Sequence, residues 1–120
     1  MKRIGYQSKK EKFTLNKVKG RAIKLELRKN KKQIARAYLY LIKNDLHKRP
    51  YGLLEDISVD EKYRGKGLGT ELVIKIIELA KKLKCYKLIA TSRFERKKIH
   101  KWYQKLGFKK YGYEFRIDFN

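Results

Sequence analysis

The sequence predicts an α+β domain in which a mixed, mostly antiparallel sheet packs against two main helices. Apolar residues alternate with polar ones in several short stretches, which is the pattern of a half-buried strand. Two longer stretches repeat their apolar residues every three or four positions, as a helix packed on one face does. In chain order these stretches give β-β-β-α-β-α-β, an arrangement typical of an α/β sandwich with helices packed on a sheet.

Three strands are predicted in the first half of the chain, at residues 22–28, 33–43 and 53–59. The first alternates apolar with charged residues, and a polar turn joins it to the second. The second is rich in β-branched and aromatic residues. Its Ala and Leu content also allows a helix, but the spacing of Tyr38 and Tyr40 favours a strand. A loop with Pro50 and Gly52 precedes the third strand.

The second half alternates helices and strands. A helix is predicted over residues 68–84, a short strand over 86–91 and a terminal strand over 108–119. Between these strands a second helix ends at Gly107, a typical helix-terminating glycine. The apolar face of the first helix consists of Leu72, Val73, Ile76, Leu79, Ala80 and Leu83. The apolar face of the second helix consists of Ile99, Trp102, Tyr103 and Leu106.

The chain is short and strongly basic. Its 120 residues are predicted to form one domain, with residues 1–20 as a basic N-terminal arm or edge strand. The formal net charge is +22, from 34 basic and 12 acidic residues. Such a charge predicts attraction to nucleic acid or to an anionic cofactor. General lysine enrichment explains it as well, because 25 of the basic residues are Lys and only 9 are Arg.

Other sequence features indicate the cellular compartment and whether disulfides or metals are expected. Cys85 is the only cysteine, so an internal disulfide is excluded and a buried small hydrophobe is the default interpretation. No apolar run approaches the roughly 20 residues of a membrane span, and the N-terminus has no secretory apolar core. A cytoplasmic protein is the simplest prediction. His47 and His100 lack ligand-like companions, so we interpret both as surface residues and predict no metal.

A glycine-rich loop follows the third strand and begins the first helix. Gly65, Gly67 and Gly69 fall within five positions, beside Arg64 and Lys66. Strand, glycine loop and helix in this order present backbone N–H groups and a helix N-terminus to an anion. The spacing matches neither the dinucleotide fingerprint nor the P-loop. A glycine-rich turn with solvated cations is the alternative.

The surroundings of this loop resemble the GNAT superfamily of N-acetyltransferases. The family's cofactor motif, Arg/Gln-x-x-Gly-x-Gly/Ala, is matched by Arg64, Gly67 and Gly69. Residues 101–108 resemble its second landmark, an aromatic-Tyr-x-x-x-Gly-Phe run on the last helix. The Glu55-Asp56 pair resembles both polyamine and glucosamine 6-phosphate acetyltransferases. The resemblance implies the GNAT-like acyl-CoA N-acyltransferase fold.

The resemblance also implies acetyl transfer from acetyl-CoA to a primary amine by direct attack, without a metal. The CoA pyrophosphate would lie on the N–H groups of the glycine loop, and the pantetheine arm would pair with the motif strand. The residues expected to bind the cofactor are Ile57, Val59, Arg64, Gly65, Lys66, Gly67, Leu68, Gly69 and Thr70.

Two residues are candidates for proton transfer. Tyr103 matches the family's general acid by position, although it shares an apolar face and core packing explains it too. Glu55 is the candidate base, directly or through water, because an alkyl ammonium must lose a proton before it attacks. A solvent-facing strand carboxylate is the alternative for Glu55. Asp56 points to the opposite face in a regular strand, and a bulge would reverse that assignment.

The acceptor side departs from the family pattern. Many family members carry an Asn before the last helix, and this sequence has none there. Arg93, Arg96 and Lys97 occupy that segment instead. They are expected to bind CoA phosphates or an anionic acceptor, and a solvated helix start is the alternative. Thr91 aligns with a strand carboxylate of some relatives and cannot replace it. The two helices that usually wall the acceptor site have no room before Ala22.

An acceptor side without its usual walls suggests one of two arrangements. It is open to a bulky acceptor, such as a protein N-terminus, a lysine side chain or a nucleic-acid-bound amine, or it is completed by another subunit of a homodimer. A non-catalytic acyl-CoA-binding or nucleic-acid-binding module on the same fold is the rival function. The interleaved Lys and Tyr of residues 109–113 would then stack on bases.

Overall fold

The structure is a computed structural model that describes residues 13–15, 17, 18 and 20–119. One four-stranded sheet of order β1-β2-β3-β4 carries two helices. β1, β2 and β3 are antiparallel neighbours, and β4 joins β3 in parallel. The predicted mixed, mostly antiparallel sheet with two helices is confirmed. The elements are β1 Gly20–Lys29, β2 Lys32–Ile42, β3 Tyr51–Val59, α1 Leu68–Lys82, β4 Leu88–Ala90 and α2 Lys97–Lys105.

A tight hairpin joins β1 to β2. Its turn residues Asn30 and Lys31 have φ values of 52° and 67°. Two successive left-handed residues match the right-handed twist of the flanking strands, which is why two-residue hairpins favour this geometry. The Arg28 guanidinium donates a hydrogen bond of 2.9 Å to the Lys31 carbonyl oxygen across the turn. The second stretch is therefore a strand and not a helix.

The core lies between β2, β3 and α1. The alternation of β2 places one set of small and large apolar side chains against the helix, as the period of two predicts. The predicted apolar face of α1 is confirmed, with Leu79 and Leu83 half-buried at its margin. The buried members of this core are Ala37, Leu39, Leu41, Leu54, Val73, Ile76 and Ala80.

α2 ends as the sequence predicts. Gly107 has a φ of 107°. The N–H of Phe108 donates to the Tyr103 carbonyl at 3.0 Å, and that of Gly107 donates to Gln104 at 3.1 Å. These two bonds form a Schellman motif, which requires a left-handed residue at Gly107. The motif turns the chain so that Phe108 packs edge-on against the Tyr103 ring, 5.2 Å between centroids.

The predicted terminal strand at residues 108–119 is wrong. This segment forms neither a strand nor a helix, and its side chains beyond Phe108 are exposed. Alternating apolar residues form a strand only where a second strand supplies ladder hydrogen bonds, and this segment pairs with none of the four strands of the described chain. Residues 13–15, 17 and 18 also lie outside any element, and the rest of the predicted N-terminal arm before Gly20 lies outside the described residues. No helix in the described part of the chain is long and apolar enough to cross a membrane.

Candidate active site

A cleft of about 1090 Å³ lies at the end of β3, beside the start of α1 and the face of α2. Both proposed proton-transfer residues, Glu55 and Tyr103, line it, together with Asp56. Eight of the nine expected cofactor-binding residues line it as well. Lys66 is the exception, since it is exposed and its ammonium lies 5.5 Å from the centroid of the Tyr63 ring.

The cleft opens where β3 and β4 part. The two strands pair only from Gly52, opposite Leu88, to Leu54, opposite Ala90. Residues 55–59 of β3 therefore have no strand partner on that side within the described chain. An open strand edge of this kind can accept an extended ligand through backbone hydrogen bonds.

A bulge in β3 turns two neighbouring carboxylates toward the cleft. Arg36 and Tyr38 of β2 pair with Ser58 and Glu55 of β3, respectively. An advance of two residues along β2 therefore lies opposite an advance of three residues along β3. Asp56 has a φ of 52°, and its carbonyl oxygen accepts a hydrogen bond from the Arg36 guanidinium. Bulges re-aim side chains in this way, so Glu55 and Asp56 both line the cleft instead of facing opposite sides of the sheet.

Two glycines hold the loop before α1 in a left-handed conformation. Gly65 and Gly67 have φ values of 78° and 83°. A Cβ at either position would meet nothing within 4 Å, so the requirement for glycine is conformational and the space in front of the loop is open. Gly69 has no positive φ, and its Cβ would meet Trp102 and Val59 at ordinary contact distances of 3.8 and 3.9 Å.

α1 begins without a side-chain cap. Gly67 occupies the capping position, and the first intrahelical bond runs from the Glu71 N–H to the Gly67 carbonyl at 3.0 Å. The N–H groups of residues 68–70 precede that bond, so they have no partner within the helix. They lie at the positive end of the helix dipole. This start is suited to bind an anion such as a phosphate.

Arg64 is held at the wall of the cleft. Its Nε–H donates a 2.9 Å hydrogen bond to the carbonyl oxygen of Val59, the last residue of β3. The turn before it is fixed by Asp60, whose carboxylate accepts the Lys62 N–H at 3.2 Å and pairs with Lys32 at 3.3 Å. The two terminal nitrogens of Arg64 have no hydrogen-bond partner in the described chain, and an anionic ligand matches their geometry.

Tyr103 lies half-buried on α2. Its ring packs against the rings of Trp102 and Phe108, at centroid distances of 5.1 and 5.2 Å. Burial raises the pKa of the phenol above its usual 10.0, the Glu55 carboxylate raises it further, and the Arg96 guanidinium opposes them. The phenol is therefore protonated at neutral pH, which is the state that can donate a proton.

Glu55 faces other carboxylates in the cleft. Desolvation raises the pKa of Glu55 above its usual 4.5, and the charges of Asp56 and Glu114 raise it further. A raised pKa makes the carboxylate a stronger base. The interactions with Tyr103 and Glu114 also show that these groups lie close together, although they come from β3, α2 and the segment after α2.

Three further arginines line the cleft. Arg93 and Arg96 precede α2, whose first turn carries no acidic residue and whose start has no side-chain cap. Cations oppose the dipole at a helix start, and an anion bound there would offset this cost. The third, Arg116, comes from the segment after α2, where it also pairs with Asp118 at 2.9 Å.

A hydrogen bond joins the two helices at the cleft. The Trp102 Nε1–H donates to the Thr70 hydroxyl oxygen at 2.8 Å, across 32 residues of sequence. This contact fixes the first turn of α1 relative to α2 and thereby relates the anion-binding start to Tyr103. The motif match singled out both residues, but their contact could not be read from the sequence.

Sequence reasoning missed Glu114 and Arg116 as cleft residues. The sequence places them within the predicted terminal strand at residues 108–119, and their contribution to the cleft depends on the path of the chain after Gly107. No motif marked them. Only their alternation with exposed aromatic residues set this segment apart.

The other residues that the sequence singled out do not line the cleft. Burial raises the pKa of the Cys85 thiol above 9.0, which keeps it protonated and unreactive. His47 is exposed and stacks on Tyr86 at 4.5 Å. His100 is partly exposed, and its ring nitrogen lies 2.7 Å from the Arg93 carbonyl oxygen. The described residues contain no group of His, Cys, Asp and Glu able to hold a metal.

Comparison with known proteins gives a consistent picture. The model of the acetyltransferase (GNAT) family matches residues 8–108. The crystal structure of an acetyltransferase from Trypanosoma brucei superposes with a TM-score of 0.72 at 30% identity, covering 82% of this chain and 69% of that one. Glucosamine-6-phosphate N-acetyltransferase from Arabidopsis thaliana gives a TM-score of 0.72 at 25% identity, covering 82% and 67%.

A curated relative is similar over a shorter range. Glucosamine 6-phosphate N-acetyltransferase of Trypanosoma brucei brucei is 39% identical over 70 residues, which are 58% of this chain. The match spans 46% of that protein, about half its length. The family model, in contrast, covers most of the present chain, including the glycine loop and Tyr103. The chain belongs to the GNAT family of acetyltransferases.

Proposed function

We propose that this protein transfers the acetyl group of acetyl-CoA to a primary amine by direct attack. The observation that carries the proposal is the convergence of three features on one cleft. These are the uncapped start of α1 with its glycine loop, the Glu55 carboxylate and the Tyr103 phenol. The family to which the chain belongs supports the same activity.

The donor would bind between the glycine loop and the open edge of β3. The N–H groups of residues 65–70 and the Arg64 guanidinium receive the pyrophosphate. The pantetheine arm runs along β3 and pairs with backbone groups of Ile57 and Val59. The Val59 carbonyl already accepts the Arg64 Nε–H, but a carbonyl oxygen has a second lone pair for this pairing. A backbone N–H nearby would stabilise the oxyanion as the amine attacks.

The proton balance follows from the two side chains. The acceptor ammonium first gives one proton to Glu55, directly or through water. Its nitrogen then attacks the acetyl carbonyl carbon, so that a C–N bond forms while the C–S bond breaks. The departing thiolate takes a proton from Tyr103, and the proton that the amide nitrogen loses as the product forms restores the Tyr103 phenol, directly or through water. Tyr103 assists this last step without being indispensable, because a thiol pKa near 8.5 already makes the thiolate a fair leaving group.

An acceptor that carries an anion as well as an amine fits the cleft. The carboxylates of Glu55, Asp56 and Glu114 suit an ammonium group, while Arg93, Arg96 and Arg116 suit a phosphate. The name of the Trypanosoma brucei brucei relative points to the same class, an amino sugar phosphate. The volume of about 1090 Å³ exceeds most small-molecule sites and also accommodates a bulky acceptor such as a peptide N-terminus.

A panel of amines tests the proposal. Purified protein is incubated with isotopically labelled acetyl-CoA and one of three acceptors: glucosamine 6-phosphate, glucosamine or an N-terminal peptide. We expect labelled amide product, with kcat/KM highest for the phosphorylated amine. A preference for the peptide would reassign the acceptor to a macromolecule. Acetyl transfer to none of them, nor to any amine in a cell extract, would contradict the proposed activity.

Replacing Glu55 by Gln tests the base. We expect kcat/KM at neutral pH to fall about tenfold, because water and the neighbouring carboxylates relay part of the proton transfer. The wild-type rate should fall as the pH drops through the raised pKa of Glu55. The Gln variant should lose that inflection, and a retained inflection would exclude Glu55.

Glu55→Gln should lower the activity of the protein without lowering its thermal stability. The pKa of Glu55 is raised in the folded state, so its ionised form disfavours folding above that pKa and the effect disappears as the pH falls below it. The Gln variant should thus match or exceed the wild-type Tm at neutral pH. Circular dichroism melting checks this and separates lost chemistry from lost structure.

A further inference from the structure

We propose that Ser92 is a donor-binding residue whose hydroxyl forms a hydrogen bond with an amide of the pantetheine arm of CoA. The inference rests on the proposed function, because it adds a contact to the donor site described there. No sequence motif of the chain includes Ser92.

The Ser92 hydroxyl oxygen is buried and has no hydrogen-bond partner in the described chain. Among the buried side-chain nitrogen and oxygen atoms of the described residues, it is the only one left unpaired. A buried hydroxyl without a partner costs free energy, because it has given up its bonds to water and received none in return. Since such groups are rare in native folds, an unpaired one that lines a cleft points to a ligand.

Ser92 borders the opening where β3 and β4 part. The last pair between these two strands joins Leu54 to Ala90. Ser92 lies two residues beyond Ala90 and borders the cleft from the β4 side, whereas Ile57 borders it from the β3 side. A ligand that lies along the free edge of β3 therefore passes between Ile57 and Ser92.

The chemistry of a hydroxyl selects the arm over the other parts of the donor. The pyrophosphate is assigned to the N–H groups of residues 65–70 and to Arg64, which carry the positive charge that it needs. A neutral hydroxyl donates one hydrogen bond and also accepts, which matches the N–H and C=O of an amide. The pantetheine arm carries amides between its pyrophosphate and its thiol. The free edge of β3 holds one side of this arm, and Ser92 contacts the other.

Replacing Ser92 by Ala tests the contact through two ligands. CoA carries the pantetheine arm, whereas ADP carries the pyrophosphate without it. We expect wild-type protein to bind CoA more tightly than ADP in calorimetry. Ser92→Ala should raise the Kd for CoA about tenfold, the loss of one hydrogen bond, and leave the Kd for ADP unchanged.

The unliganded variant should be as stable as wild type or more stable. Ala at this position removes a buried polar group that had no partner, so the Tm without CoA should not fall. The rise in Tm at a fixed CoA concentration should be smaller than in wild type, because stabilisation by a ligand depends on its Kd. A hydroxyl that served only the fold would give the reverse, a lower Tm and an unchanged Kd for CoA.

Ser58→Ala is the matched control. Ser58 also lines the cleft, and its hydroxyl is not among the buried groups without a partner. This variant should change neither Kd. An unchanged Kd for CoA in Ser92→Ala, an equal loss for ADP, or an equal loss in Ser58→Ala would each overturn the inference.

The same measurements separate this inference from the proposed function. Wild-type protein that binds neither CoA nor ADP would overturn both. CoA binding that depends on Ser92, in a protein that acetylates no amine, would support the Ser92 contact and contradict the acetyl-transfer activity alone.

Discussion

Replacing Tyr103 by Phe should lower kcat about 100-fold, the low end of what a proton-transfer group contributes. The low end applies because the thiolate leaves readily even without a donor. The ring contacts of Tyr103 with Trp102 and Phe108 survive the change. Within the described chain the phenol oxygen has no hydrogen-bond partner to lose. Acetyl-CoA affinity and Tm should therefore stay near their wild-type values.

Tyr63→Phe is the control for this result. Tyr63 also lines the cleft, and its substitution removes the same hydroxyl from a residue with no assigned part in the reaction. Steady-state kinetics on both variants, with the Kd for acetyl-CoA measured by calorimetry, separate chemistry from binding. Wild-type turnover in Tyr103→Phe, or an equal loss in Tyr63→Phe, would remove Tyr103 from the mechanism.

Replacing Gly67 by Ala should weaken acetyl-CoA binding roughly thirtyfold. A left-handed conformation costs a non-glycine residue about 1–2 kcal/mol, so the loop should relax away from its φ of 83°. The N–H groups before the first turn of α1 would then no longer converge on the pyrophosphate. One lost charge-assisted hydrogen bond is worth about 2 kcal/mol, which corresponds to the stated change in Kd.

Two other glycines serve as controls for Gly67→Ala. Gly107→Ala imposes the same kind of strain, at a φ of 107°, on the far end of α2. Gly107→Ala should lower the Tm about as much as Gly67→Ala does, and it should leave the Kd for acetyl-CoA unchanged. Gly69→Ala should affect neither, because its Cβ fits against Trp102 and Val59. If all three variants bind acetyl-CoA equally well, the pyrophosphate does not lie on this loop.

The elements that sequence patterns predicted best are those whose packing is local. The apolar stripe of α1 and the alternation of β2 each encode a face, and both face the core as expected. The glycine loop was also predictable, because left-handed φ values at Gly65 and Gly67 are a property of glycine itself. These features depend on residues a few positions apart.

Features that depend on distant residues were not predictable in the same way. The bulge at Asp56 was an alternative in the sequence, and the pairing register with β2 together with the Arg36 contact 20 residues away decides it. The prediction of a terminal strand at residues 108–119 was wrong because alternation within one segment says nothing about a second strand, and a strand forms only when a second strand supplies its hydrogen bonds. Glu114 and Arg116 reach the cleft only through the path of that same segment.

Hydrogen exchange of the wild-type protein with and without saturating acetyl-CoA tests the central claim most directly. The claim is that the N–H groups of residues 65–70 and the open edge of β3 hold the donor. We predict slower exchange at residues 65–70 and 57–59 on binding, with no change in the hairpin turn at residues 29–32. Unchanged exchange at residues 65–70 at saturation, or protection confined to another part of the chain, would contradict the account.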